Sequence, residues 1–114
     1  KRFEAGQAIV AEGEPGGDLF LIESGTVRVL TTGLKGKLVL AELTRGAFFG
    51  EIAVLTGKPR TASVEAVDAV ITISFSKADL EPILLKYPKV RKLMQTMMNA
   101  RAEDAIEKVQ SQAP

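Results

Sequence analysis

Phe49-Gly50-Glu51-Ile52-Ala53-Val54-Leu55-Thr56-Gly57, followed by Lys58-Pro59-Arg60-Thr61-Ala62-Ser63-Val64, interrupts the pattern of the chain around it. Gly stands at both ends of a helix-like run of six residues, with Pro59 just beyond. A helical turn set between strands leaves its first backbone N–H groups unpaired, and its dipole favours an anion there. Arg60 follows closely and offers a planar fork of donors suited to a phosphate. Glu51 offers only acceptors and suits a hydroxyl.

The residues before this segment read as strands, being short apolar runs cut by turn residues. Ala8-Ile9-Val10 ends at Glu14-Pro15-Gly16-Gly17. Leu19-Phe20-Leu21-Ile22 leads into Ser24-Gly25, which predicts a tight hairpin to Val27-Arg28-Val29-Leu30. That run stops at Thr32-Gly33, and Leu38 to Leu43 forms another strand closed by Arg45-Gly46. After the segment, Val64 to Ala66 and Val70 to Phe75 read as a last pair around Asp68. Many short strands at regular spacing predict a sandwich, barrel or jelly roll.

From Ser76 the period becomes helical. Ser76 is an N-cap, with Asp79 in the first turn of a helix ending near Lys86 or Tyr87. Pro88 suits the first position of a second helix. Its apolar set is Val90, Leu93, Met94, Met97, Met98, Ala105, Ile106 and Val109. Ser111 to Pro114 reads as a frayed end. The whole is one domain, with a β part over about 1–76 and C-terminal helices over about 77–111.

Composition narrows the chemistry. The chain has 114 residues, 46% of them hydrophobic and 25% charged, enough for one core. Neither Cys nor His occurs. Thiolate and imidazole metal sites, thiol catalysis and His-based triads are therefore excluded. A metal-using jelly-roll enzyme loses its usual ligands, while carboxylate-only metal sites and paired-carboxylate hydrolysis survive this filter; the expectation is a non-enzyme without cofactor or metal. The net charge of +1, with both signs mixed, argues against direct nucleic-acid binding. No apolar run is long enough to span a membrane. The chain starts at Lys1 rather than Met, which leaves open whether it is an excised domain.

The ordered set Phe49-Gly50-Glu51-Ile52-Ala53-Val54-Leu55 and Pro59-Arg60-Thr61-Ala62-Ser63-Val64 closely resembles the phosphate-binding cassette of cyclic-nucleotide-binding domains. The likeness extends to Phe3-Glu4-Ala5-Gly6-Gln7, Glu12-Gly13-Glu14, Leu19-Phe20-Leu21-Ile22 and Ser24-Gly25-Thr26-Val27. It implies a mainly β fold: an eight-stranded, jelly-roll-like β-roll with a short phosphate-binding helix and two C-terminal helices. The ligand it implies is a cyclic mononucleotide, cAMP favoured over cGMP. The nucleotide-binding residues would be Phe49, Gly50, Glu51, Ile52, Ala53, Arg60, Thr61, Ala62 and Arg101. Arg60 would hold the cyclic phosphate, helped by Thr61, and Glu51 the ribose 2′-hydroxyl.

Arg101 lies on the apolar stripe of the last helix. By resemblance to channel-type members it would be a lid stacking on the purine, the alternative being a snorkelling side chain. Met94, Met97 and Met98 read as packing. Glu103, Asp104, Glu107 and Lys108 read as a solvated face, with Asp104 as an alternative contact for a guanine edge and Ala105 nearer to that position.

The resemblance implies a regulatory module acting on an effector domain outside this chain, in the cytoplasm or on the cytosolic face of a membrane protein. A homodimer stays open. The alternative is a degenerate β-roll serving as a structural or dimerisation module without nucleotide.

Overall fold

The structure is a computed structural model that describes residues 1–33 and 36–110, with the backbone alone at 102, 105, 109 and 110. Among these residues there are eight strands and three helices. The strands are β1 (Arg2–Phe3), β2 (Ala8–Val10), β3 (Leu19–Ser24), β4 (Val27–Gly33), β5 (Gly36–Leu43), β6 (Phe48–Phe49), β7 (Ser63–Ala66) and β8 (Val70–Phe75). The helices are α1 (Glu51–Thr56), α2 (Lys77–Lys86) and α3 (Pro88–Gln110). The mainly β expectation holds.

Two four-stranded antiparallel sheets form the roll, in the orders β1-β8-β3-β6 and β2-β7-β4-β5. Apart from β4 and β5, consecutive strands therefore divide between sheets, which corrects two expectations. Ser24-Gly25 is no hairpin turn, because β3 pairs with β8 and β6 while β4 pairs with β5 and β7. Nor do β7 and β8 pair with each other around Asp68. Both segments are corners where the chain crosses from one sheet to the other, and they lie side by side. Thr26 N–H donates to Asp68 Oδ1 at 2.8 Å, and Val67 N–H donates to Thr26 O at 2.9 Å. Gly25 has φ +92°, and a Cβ there would stand 2.3 Å from Ala69 O. The left-handed backbone and the close approach both demand glycine.

The crossing puts both inner faces on one core. Phe20, Ile22, Val27, Phe49, Val64, Ala66 and Val70 form it, with Ile22 and Val70 at 1% exposure and Val27 at 0%. Phe20 and Phe49 stack with centroids 5.0 Å apart. A second cluster joins Leu19 of β3 and Val54 of α1 to Leu80 and Leu84 of α2 and Met94 of α3.

The helices start where the sequence places them. The Ser76 side chain accepts from Asp79 N–H, and Tyr87 caps the end of α2. The expected apolar stripe of α3 is largely uncovered, however. Met94 is buried, Met97 and Met98 are half-buried, and Val90, Leu93 and Ile106 are exposed. The reason is contact geometry: α3 meets α2 and α1, and lies over β5. The side chains of Ala105 and Val109, and Ser111–Pro114, lie outside the described residues.

Candidate functional site

A cavity of about 460 Å³ lies between the inner face of the β4–β5 sheet, α1 and the C-terminal part of α3. Its β wall is Val10, Val29, Thr31, Leu40, Ala41, Leu43 and Val64. A bulge in β5 shapes that wall: Val29 pairs with Ala41 and Leu30 with Val39, so Leu40 is the extra residue. A bulge breaks strict alternation, so the consecutive Leu40 and Ala41 can both reach the cavity.

The cassette segment closes one side. Phe49, Gly50, Glu51, Ile52, Ala53, Arg60, Thr61 and Ala62 all line the cavity, as does Arg101. The fold thus brings together every site residue expected from the sequence. Gly50 caps α1 with φ +94°, and no side chain takes the cap hydrogen bond. A Cβ on Gly50 would stand 2.6 Å from Asp18 O and 2.7 Å from Arg60 Nη1. Only glycine lets the backbone turn here beside the guanidinium.

Arg60 is buried, with 8% exposure. Its Nη2 donates to Asp18 O at 3.2 Å, its Nη1 to Gly50 O at 3.4 Å, and its Cζ lies 5.8 Å from the Phe20 ring centroid. Gly16 leaves room for it, since a Cβ there would fall 2.2 Å from Arg60 Nε. The Arg60 main chain is anchored too: its N–H donates to Glu14 O, and its carbonyl accepts from Gly13 N–H, both at 2.8 Å. Burial pushes the Arg60 guanidinium below its ordinary value, while Asp18, Glu14 and Glu51 pull it upward. A buried cation held on neutral carbonyls keeps donors for a further anion.

Glu51 is 2% exposed, and its charge is met from across the cavity. Arg101 Nη1 donates to Glu51 Oε1 at 2.6 Å, and Arg101 Cζ lies 5.6 Å from the Phe48 ring centroid. The guanidinium expected over a base is thus turned onto Glu51 and Phe48. The pair joins residues 50 positions apart, and no sequence spacing signals it. Two more α3 residues line the cavity, Ile106 and Asp104. Asp104 is therefore not merely part of a solvated face. It accepts from Lys108 Nζ at 3.0 Å, and Lys108 also reaches Leu40 O of the bulge.

The β wall was missed in sequence reasoning, which named only cassette and lid residues. Alternation along Val27, Val29 and Thr31 was the available signal, since residues two apart share a face.

The family model described as cyclic nucleotide-binding domain matches residues 1–87. This chain belongs to that family. The cAMP-dependent protein kinase regulatory subunit of Debaryomyces hansenii is 42% identical over 82 residues, 72% of this chain and 18% of that protein. A cyclic nucleotide-gated potassium channel of Mesorhizobium japonicum is 36% identical over 89 residues, 78% of this chain and 23% of the channel. The crystal structure of Thermus thermophilus catabolite activator protein matches with a TM-score of 0.84 at 28% identity, covering 96% of this chain and 52% of that one. The chain thus spans less than a quarter of the length of these two curated relatives. No helix among the described residues is long and apolar enough to cross a membrane.

Proposed function

We propose that the chain is a regulatory, non-catalytic module that binds a cyclic mononucleotide in this cavity and passes the event on through α3. The carrying observation is the meeting of buried Arg60, buried Glu51 and Gly50 at one cavity roofed by α3. The cyclic phosphate would take the remaining donors of Arg60, the α1 backbone and Thr61. The ribose 2′-hydroxyl would donate to Glu51, whose Oε2 is left by the Arg101 contact on Oε1.

That contact supports a route for output. A ribose hydroxyl on Oε2 would share one carboxylate with a side chain on α3. The cluster Val54–Leu80–Leu84–Met94 couples the same α1 to both C-terminal helices. A ligand shifts such an element only through differential affinity for its arrangements. The effector would lie outside this chain, in line with relatives of which it spans 18% and 23%.

For the base, cAMP is favoured over cGMP. Leu40, Leu43, Val29 and Ile106 give an apolar bed. Guanine would bury two donor groups, N1–H and N2–H₂, where adenine buries one, at roughly 1–3 kcal/mol each if unpaired. The acidic side chain from α3, Asp104, already faces Lys108. The kinase relative carries cAMP dependence in its name. Calorimetric titration with cAMP and cGMP tests the reading. Tighter binding of cGMP would overturn the base preference, and absence of heat with both would leave the structural module.

A further inference from the structure

We propose that the corner between α2 and α3 is a docking surface for an anionic lipid bilayer. Lys86, Lys89, Arg91 and Lys92 lie within seven residues, and no acidic residue occurs between Glu81 and Glu103. The chain as a whole carries only +1, so positive charge is concentrated at this corner. Among the described residues, no carboxylate pairs with any of the four cations.

Apolar side chains are interleaved with them. Of the nine large hydrophobic residues left exposed among those described, Leu85, Tyr87, Val90 and Leu93 fall here, with Ile83 on the other flank of α2, across the buried Leu84. Leu85 is 80% exposed, more than any of the others, and Leu93 is 59% exposed. On α3, Leu93 has Val90 three positions before it and Lys89 four before, so the three share a face. Lys86 Nζ lies 5.6 Å from the Tyr87 ring centroid. None of these residues lines the nucleotide cavity.

Three occupants differ in what they would do with this surface. A second copy would bring its own four cations against these, a like-charge contact that costs energy. A nucleic acid would match the cations but leave Leu85 in water. A bilayer with acidic headgroups answers both features, drawing in the cations and taking the apolar tips and the tyrosine at its interface. It also needs no complementary groove, which suits a corner where two helices meet.

The test is co-sedimentation of the 114-residue chain with vesicles of phosphatidylcholine alone or containing about one-third phosphatidylserine. Binding is expected only to the second, and is expected to fall as salt is raised. Lys86→Gln with Lys89→Gln and Lys92→Gln should lower it on the order of a hundredfold, about fivefold per cation. Leu85→Ser should lower it at every salt concentration. Circular dichroism should be unchanged in both variants, since the residues changed are exposed. Equal binding by the charge variant, or none to the acidic vesicles at low salt, would overturn the proposal. So would retention by polyglutamate without binding to vesicles, which points to an acidic protein. Self-association abolished by Leu93→Asp would assign the corner to a second copy instead. Nucleotide titration is read separately, so failure here leaves the cavity reading untouched.

Discussion

The β-roll and helix α3 are built on different terms. In the roll, Ile22, Val27 and Val70 are at or below 1% exposure, and every strand has a partner in one of two sheets. In the 23 residues of α3, Met94 is the buried apolar anchor among the described side chains. Further ties of α3 among the described residues are those of Arg101 to Glu51 and the Phe48 ring, and of Lys108 to Leu40 O. An element with few buried contacts opens at lower free energy than the core it rests on. On the proposed reading, the contrast would make the roll, with Arg60 and Glu51, the fixed half of the site and α3 the half free to move.

The largest effects should come from the fixed half. Arg60→Ala should weaken cAMP binding by about 2–5 kcal/mol, thirty- to several-thousand-fold, by calorimetry. Arg60→Lys should recover only part, because the donor fork is gone. Equal affinity in wild type and Arg60→Ala would move the phosphate away from this side chain.

Ile22→Ala should cost about 2–5 kcal/mol of global stability in urea unfolding, by leaving a cavity in the first core cluster. A loss under about 1 kcal/mol, below that range, would mean that the roll is as loosely packed as α3, and the comparison would fail.

Arg101→Ala attacks the joint between the halves. Hydrogen exchange should show α3 amides losing about 1.5–3 kcal/mol of protection, the worth of a charge-assisted hydrogen bond, while β8 amides stay as they are. Loss spread evenly over both would show that the two regions unfold as one.

Glu51→Gln tests the proposed ribose contact against the ion pair with Arg101. Binding of cAMP should fall by about 1–3 kcal/mol, with little change for its 2′-deoxy analogue. Equal weakening of both would assign Glu51 to holding Arg101 rather than the ribose.

Leu93→Ala is the smallest. Leu93 is 59% exposed, so global stability should change by no more than about 0.5 kcal/mol. A loss approaching that of Ile22→Ala would mean that this face of α3 is covered in solution.

The sequence by itself determined most of the elements, the two-residue strands β1 and β6 excepted, and the residue types at the cavity. Glycine and proline punctuation marked the strands, Ser76 and Pro88 marked the helix starts, and the run from Phe49 to Val64 carried the residue types that an anion and a hydroxyl require. These are local properties: backbone freedom, capping, periodicity and side-chain charge act within a few residues. Only the tertiary structure decided which strands meet. Ser24-Gly25 is compatible with a hairpin until Gly25 is found pressed against Ala69, where the chain leaves one sheet for the other. The same holds for the Leu40 bulge, the exposed stripe of α3, and the placing of Asp104 and Arg101 at the cavity. Pairing across 50 residues depends on which surfaces the folded roll leaves within reach, and periodicity along the chain carries no information about distance between faces.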